Sequence, residues 1–130
     1  MKEWSLKILV AIIAALSPIK SVIIATGVVI FLDLITGVIR AYKAKEKIQS
    51  SVMRRTVTKF AVYQTAIISG FIIETYLSPA IPITKLISSV IGLVEAKSIL
   101  ENLNEIYGTD IFKNLLNKLG SDNDSSLKRD

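Results

Sequence analysis

The sequence predicts an all-α polytopic membrane protein. Two transmembrane helical hairpins, about four spans or alternatively three, are followed by a C-terminal amphipathic helix. Three observations carry this reading. First, 51% of the 130 residues are apolar and the mean hydropathy is +0.50. Second, the apolar residues gather into charge-free runs at 8–19, 21–32, 60–73, 75–84 and 86–94. Third, the formal charge of +5 is concentrated in one place. Residues 40–59 hold seven basic residues and one acid, a net of +6, and the other 110 hold nine basic and ten acidic, a net of −1.

The first run, with Trp4 and Lys7 ahead of it, reads as a short span. Lys2 and Lys7 before residues 8–16 also resemble the start of a secretory leader. No small-x-small site is followed by a polar mature chain, so the segment reads as a span. Ser17-Pro18 and Lys20 mark a turn into the second run, where 21–39 contains only Asp33 as a charge. Residues 22–32 (VIIATGVVIFL) have no polar face, and a helix that is apolar all round belongs in a membrane or a large core. A chain of this length buries too little surface to hide several such helices in water. The third run, 60–79, contains only Glu74, and the fourth, 79–94, only Lys85. With one charge admitted, each approaches the ~20 residues that cross ~30 Å of hydrocarbon. Ser78-Pro79-Ala80-Ile81-Pro82 separates them, because proline removes a donor and stops a helix.

Beyond Glu95 the pattern turns amphipathic. Ile99, Leu100, Leu103, Ile106 and Tyr107 recur at helical spacing between polar residues, up to a Gly108-Thr109-Asp110 break. Residues 1–108 therefore form a transmembrane helical domain with a basic loop at 40–59. Residues 109–130 form a short amphipathic segment and a polar tail. Short loops rich in Lys and Arg stay in the cytoplasm. Arg40, Lys43, Lys45, Lys47, Arg54, Arg55 and Lys59 thus place that loop inside, and two hairpins place both termini inside with it. The same cations suit anionic lipid headgroups; setting topology alone is the simpler role.

Composition excludes most chemistry. Without Cys or His there is no disulfide, no thiolate metal site, no Ser-His-Asp triad and no ordinary zinc ligand. No glycine-rich phosphate loop occurs. No catalytic, cofactor-binding or metal residue is expected, and no nucleic-acid partner, since the charge forms an island rather than a face.

The informative residues are polar or small ones inside apolar spans. Asp33, Thr36, Gly37 and Arg40 share one helix face at i, i+3, i+4 and i+7. Asp33 is either solvated and paired with Arg40 near the interface, or turned toward a partner helix or an aqueous lumen. Lys59, Tyr63, Ala66, Gly70 and Glu74 form a second stripe, and Ser88, Gly92 and Ala96 a third. Ala66–Gly70 and Ser88–Gly92 are small-xxx-small pairs that let helices approach closely. Gly37, Ala66, Gly70, Ser88, Gly92 and Ala96 are therefore expected at helix contacts, within or between chains. Asp33, Thr36, Glu74, Lys85 and Glu95 are the intramembrane polar set, and such groups usually face protein or water.

Three segments carry a resemblance. Asp33-Leu34-Ile35-Thr36-Gly37 is similar to the D-x-x-T-G segment that ends a span in a family of small phage holins, including holin-like proteins linked to clostridial toxin secretion. Residues 47–55 (KIQSSVMRR) resemble its basic loop with a serine pair, and residues 95–102 (EAKSILEN) its E-x-x-S-I-x-E-N segment. The likeness runs in order over about residues 8–108. It departs at Thr56, where the family often has Gly. The resemblance implies a protein of the bacterial cytoplasmic membrane that associates with lipids and with copies of itself. It also implies a timed lesion that lets an endolysin or another exported protein cross. The competing reading is an anchor or scaffold that docks a soluble partner through the amphipathic helix without forming a pore.

Overall fold

The computed structural model describes residues 2–47, 50–110, 113–115, 117 and 118. Among them there are helices and turns and no strand. α1 is Lys2–Ala15, and a 3₁₀ turn at Ser17–Ile19 leads into α2, Lys20–Lys43. α3 is Ser50–Ile72, ending in a π-helical turn at Ile73–Leu77, and α4 is Ile83–Tyr107. Two segments are long and apolar enough to cross a membrane, Ser17–Lys43 and Ser50–Leu77. α4 is equally long, but Lys85, Glu95 and Lys97 interrupt it. α1 has 14 residues and spans about 21 Å at 1.5 Å per residue, short of a hydrocarbon core.

The expected first hairpin does not close. The joint between α1 and α2 stays near the right-handed helical region: Leu16 lies at φ −88, ψ −1, Ile19 at φ −102, ψ 8 and Lys20 at φ −50, ψ −46. Pro18 sits where a short helix begins, a position that needs no N–H donor. A three-residue turn of this kind bends the path without folding α1 back along α2. α1 packs chiefly on the turn itself, and none of its residues is buried. Near its start, Lys7 lies 5.8 Å from the Trp4 ring centroid.

The second hairpin does close, because its connection leaves helical space. Ser78 is at φ −146, ψ 69. Pro82 is at φ −78, ψ 66, the inverse γ-turn conformation, and Ile83 N–H donates to Ile81 O at 2.8 Å. α3 and α4 run antiparallel, as do α2 and α3, so α2 and α4 lie side by side in the same direction. The α2–α4 contact is the most extensive in the fold.

The basic segment is less of a loop than its charge pattern implies. α2 runs through Arg40 and Lys43, and α3 already contains Arg54, Arg55 and Lys59. Only Lys45 and Lys47 of the seven lie between the helices. α2 stops in a Schellman arrangement: Glu46 N–H donates to Ala41 O at 2.9 Å and Lys45 N–H to Tyr42 O at 3.1 Å. Lys45 takes the left-handed position at φ 57, normally a glycine's.

The amphipathic stretch expected at 95–107 is not a separate helix. α4 continues through it unbroken, and Gly108 at φ 68 ends it. Asn102 is buried against α2, bonded to Asp33 and Thr36, and Ile99, Leu100 and Leu103 are half-buried. The segment 111–119 and the tail 120–130 lie outside the described residues, apart from 113–115, 117 and 118.

Candidate functional site

The bundle interior has two zones. Toward the proline turn it is apolar: Ile19, Ile67 and Ile91 form a buried cluster with Val22, Phe71 and Ile87 packed on it. Toward the basic end it is polar. Among the described residues the buried side chains are the apolar Ile19, Ile30, Ile67 and Ile91 and the polar Thr26, Gln64, Thr84, Glu95 and Asn102, of which Thr84 lies by the proline turn. So many buried polar groups in so small a bundle call for partners, since an unpaired one is costly.

At the centre of the polar zone Lys59 bridges two carboxylates. Its Nζ lies 2.8 Å from Asp33 Oδ2 and 2.9 Å from Glu95 Oε2. One member comes from each of α2, α3 and α4. The Glu95 side chain is 0% exposed, Asp33 15% and Lys59 23%. Tyr63, one turn beyond Lys59, donates its hydroxyl to Glu95 Oε1 at 2.8 Å. Asn102 donates to Thr36 Oγ1 at 3.1 Å and to Asp33 Oδ1 at 3.4 Å. Gln64 continues the polar zone inward, donating to Ile23 O at 3.4 Å while its Oε1 has no partner among the described residues.

The triad lies inside the helix bundle. Asp33 is ten residues from Lys43, about 15 Å along α2. Charges there are tolerated when they pair and saturate their hydrogen bonds. Asp33 thus faces partner helices rather than Arg40, which lies 3.6 Å from Glu105 on α4. Lys59 belongs to this triad and not to an exposed basic loop. Lys43 donates to the Ile106 carbonyl near the end of α4. Lys45, Lys47, Arg54 and Arg55 are exposed.

Of the other polar residues expected within the spans, Thr36 joins the site through Asn102, and Glu74 and Lys85 stand apart from it. Glu74 sits in the π-helical turn, and its Oε2 accepts from Thr84 N–H at 2.8 Å. It therefore caps the start of α4, where Pro82 supplies no side-chain cap. Lys85 is exposed one residue further on.

The small residues divide in the same way. A Cβ on Gly70 would meet Ile87 Cδ1 at 2.7 Å and Ile83 Cγ2 at 3.3 Å, so this glycine lets α3 and α4 touch within one chain. Gly37 faces Asn102, 3.6 Å from where a Cβ would sit. Gly92 has nothing within 4 Å. Ala66 and Ser88 are half-buried, and Ala96 is exposed.

Tyr63, Asn102 and Gln64 complete the site, and sequence reasoning undervalued them. The signal was periodicity: Lys59 and Tyr63 are four apart on α3, and Glu95, Ser98 and Asn102 share a face of α4.

A model of the bacteriophage holin family covers residues 9–121 of this chain. No curated protein and no solved structure matches it.

Proposed function

The chain belongs to the bacteriophage holin family and is therefore a membrane protein, and from that premise we propose that it permeabilises the bacterial cytoplasmic membrane by oligomerising into a lesion. An endolysin or another exported protein then crosses to the cell wall. The observation that carries this reading is the Asp33–Lys59–Glu95 triad, whose paired charges tie α2, α3 and α4 together inside the bundle. In the resting state the triad holds the bundle shut. When the helices separate, the same groups need water or a neighbouring chain, and both are available around an aqueous opening.

The basic end faces the cytoplasm, with Arg54, Arg55 and Lys47 at the anionic headgroups and the end of α4 beside them. α2, α3 and α4 are the crossing helices. The length of α1 favours the three-span arrangement, with Lys2–Ala15 outside the closed bundle. Ser88 and Gly92 line an open groove between α4 and α2, and that groove, with the exposed Ala96, is used for contact with a second copy. Gly70 serves the fold of each chain. The anchoring alternative draws no support from α4, because much of its amphipathic half is already packed on α2.

The test is expression in a bacterium together with an endolysin, following membrane potential and enzyme release. Abrupt depolarisation with release supports the proposal. An intact potential at high membrane abundance refutes it, and solute-specific flux without protein release points to a transporter.

A further inference from the structure

A cavity of about 530 Å³ opens at the basic end of the bundle. Glu46, Lys47, Ser51 and Arg55 line its mouth, and Asp33, Lys59 and Asn102 its inner end. Its lining includes four cations, Arg40, Lys47, Arg55 and Lys59, and four anions, Asp33, Glu46, Glu101 and Glu105. A space of that size and polarity holds on the order of ten or more waters. It ends at the triad. On the far side the wholly buried Ile67 packs with Ile19 and Ile91, about 12 Å along α3 from Lys59. Between them lies Gln64, buried, with an unpartnered carbonyl oxygen.

We propose that this cavity is an aqueous half-channel that ends at the Asp33–Lys59–Glu95 triad and is reached only from the basic end. The proposal rests on the reading above for which side that end faces. Asp33 and Lys59 line the cavity, while Glu95 is fully buried behind Lys59. Water entering between Arg40, Glu46, Lys47, Arg55, Glu101 and Glu105 therefore reaches Asp33 and Lys59 and stops at the buried Glu95 and Ile67.

The chain has no cysteine, so single thiols report access directly. Val38→Cys, Ala41→Cys and Ile67→Cys are each placed in oriented membrane vesicles and exposed to a membrane-impermeant cationic methanethiosulfonate. Positions 38 and 41 should react from the cytoplasmic face alone, and position 67 from neither face. The half-channel is overturned if 38 and 41 are inert from both faces, or if 67 reacts as fast as they do. Reaction of 38 and 41 from the outer face alone keeps the half-channel and refutes the orientation assigned above. This readout needs no lesion, so it stands even if the lytic reading fails.

Discussion

Replacing Lys59 by Met removes the one cation of the triad while keeping a long, flexible side chain. Two outcomes are distinguishable by magnitude. If the pairs behave as exposed ones, each is worth about 0–1 kcal/mol. The Glu95 side chain, however, is 0% exposed, so the substitution leaves it buried without its counter-charge, while Asp33 at 15% keeps access to the cavity. Breaking a buried pair by removing one partner costs about 3–5 kcal/mol. The expected loss is at that level, measured by denaturant unfolding of the purified protein in detergent, with helix content as the signal. Adding Asp33→Asn and Glu95→Gln to the same chain should recover part of it, since the neutral amides need no counter-charge. A loss below about 1 kcal/mol, or no recovery in the triple variant, would show that the triad does not hold the helices together. In cells the single variant should permeabilise the membrane earlier than the parent.

Other substitutions separate roles that the sequence runs together. Gly70→Leu should destabilise the folded chain by about 1–3 kcal/mol, because Ile83, Thr84 and Ile87 already occupy the space. Gly92→Leu should change unfolding by less than about 0.5 kcal/mol yet remove the higher oligomers seen after crosslinking in membranes. Glu74→Ala should lower stability through loss of the α4 cap, while Glu74→Gln, which still offers an acceptor, should lower it less in the same assay. Lys45→Gly should raise the melting temperature, by up to about 1 kcal/mol of stability, because it relieves a left-handed non-glycine residue.

The helical class, the proline turn and the polar faces of α2, α3 and α4 were legible from periodicity and composition. Asp33 and Glu95 stood out because charges in apolar runs are expensive and must be satisfied. Their common partner did not. Lys59 is one of seven cations in a row, and a charge count cannot distinguish the one that turns inward from those facing water. The i+4 spacing from Lys59 to Tyr63, continued to Ala66 and Gly70, was the available clue, since it joins the last cation of the island to a helix-packing stripe. Glu74 misled in the opposite sense. Between apolar residues it reads as a mid-span charge, but the π-helical turn carries it to the start of α4. The missing first hairpin was equally hidden. Ser17-Pro18 is a turn signal either way, and only the backbone angles distinguish a bend from a reversal.

The most direct test is to lock the bundle. Gly37 on α2 and Asn102 on α4 are close, with a Cβ at 37 only 3.6 Å from the Asn102 amide nitrogen. In the chain's cysteine-free background, Gly37→Cys with Asn102→Cys is oxidised in membranes, and release of an entrapped protein is followed before and after adding reductant. If the triad-closed bundle is the resting state and must open to form the lesion, the oxidised protein accumulates without release and the reductant starts it. Equal release from the oxidised and reduced forms, with the disulfide confirmed, would contradict that.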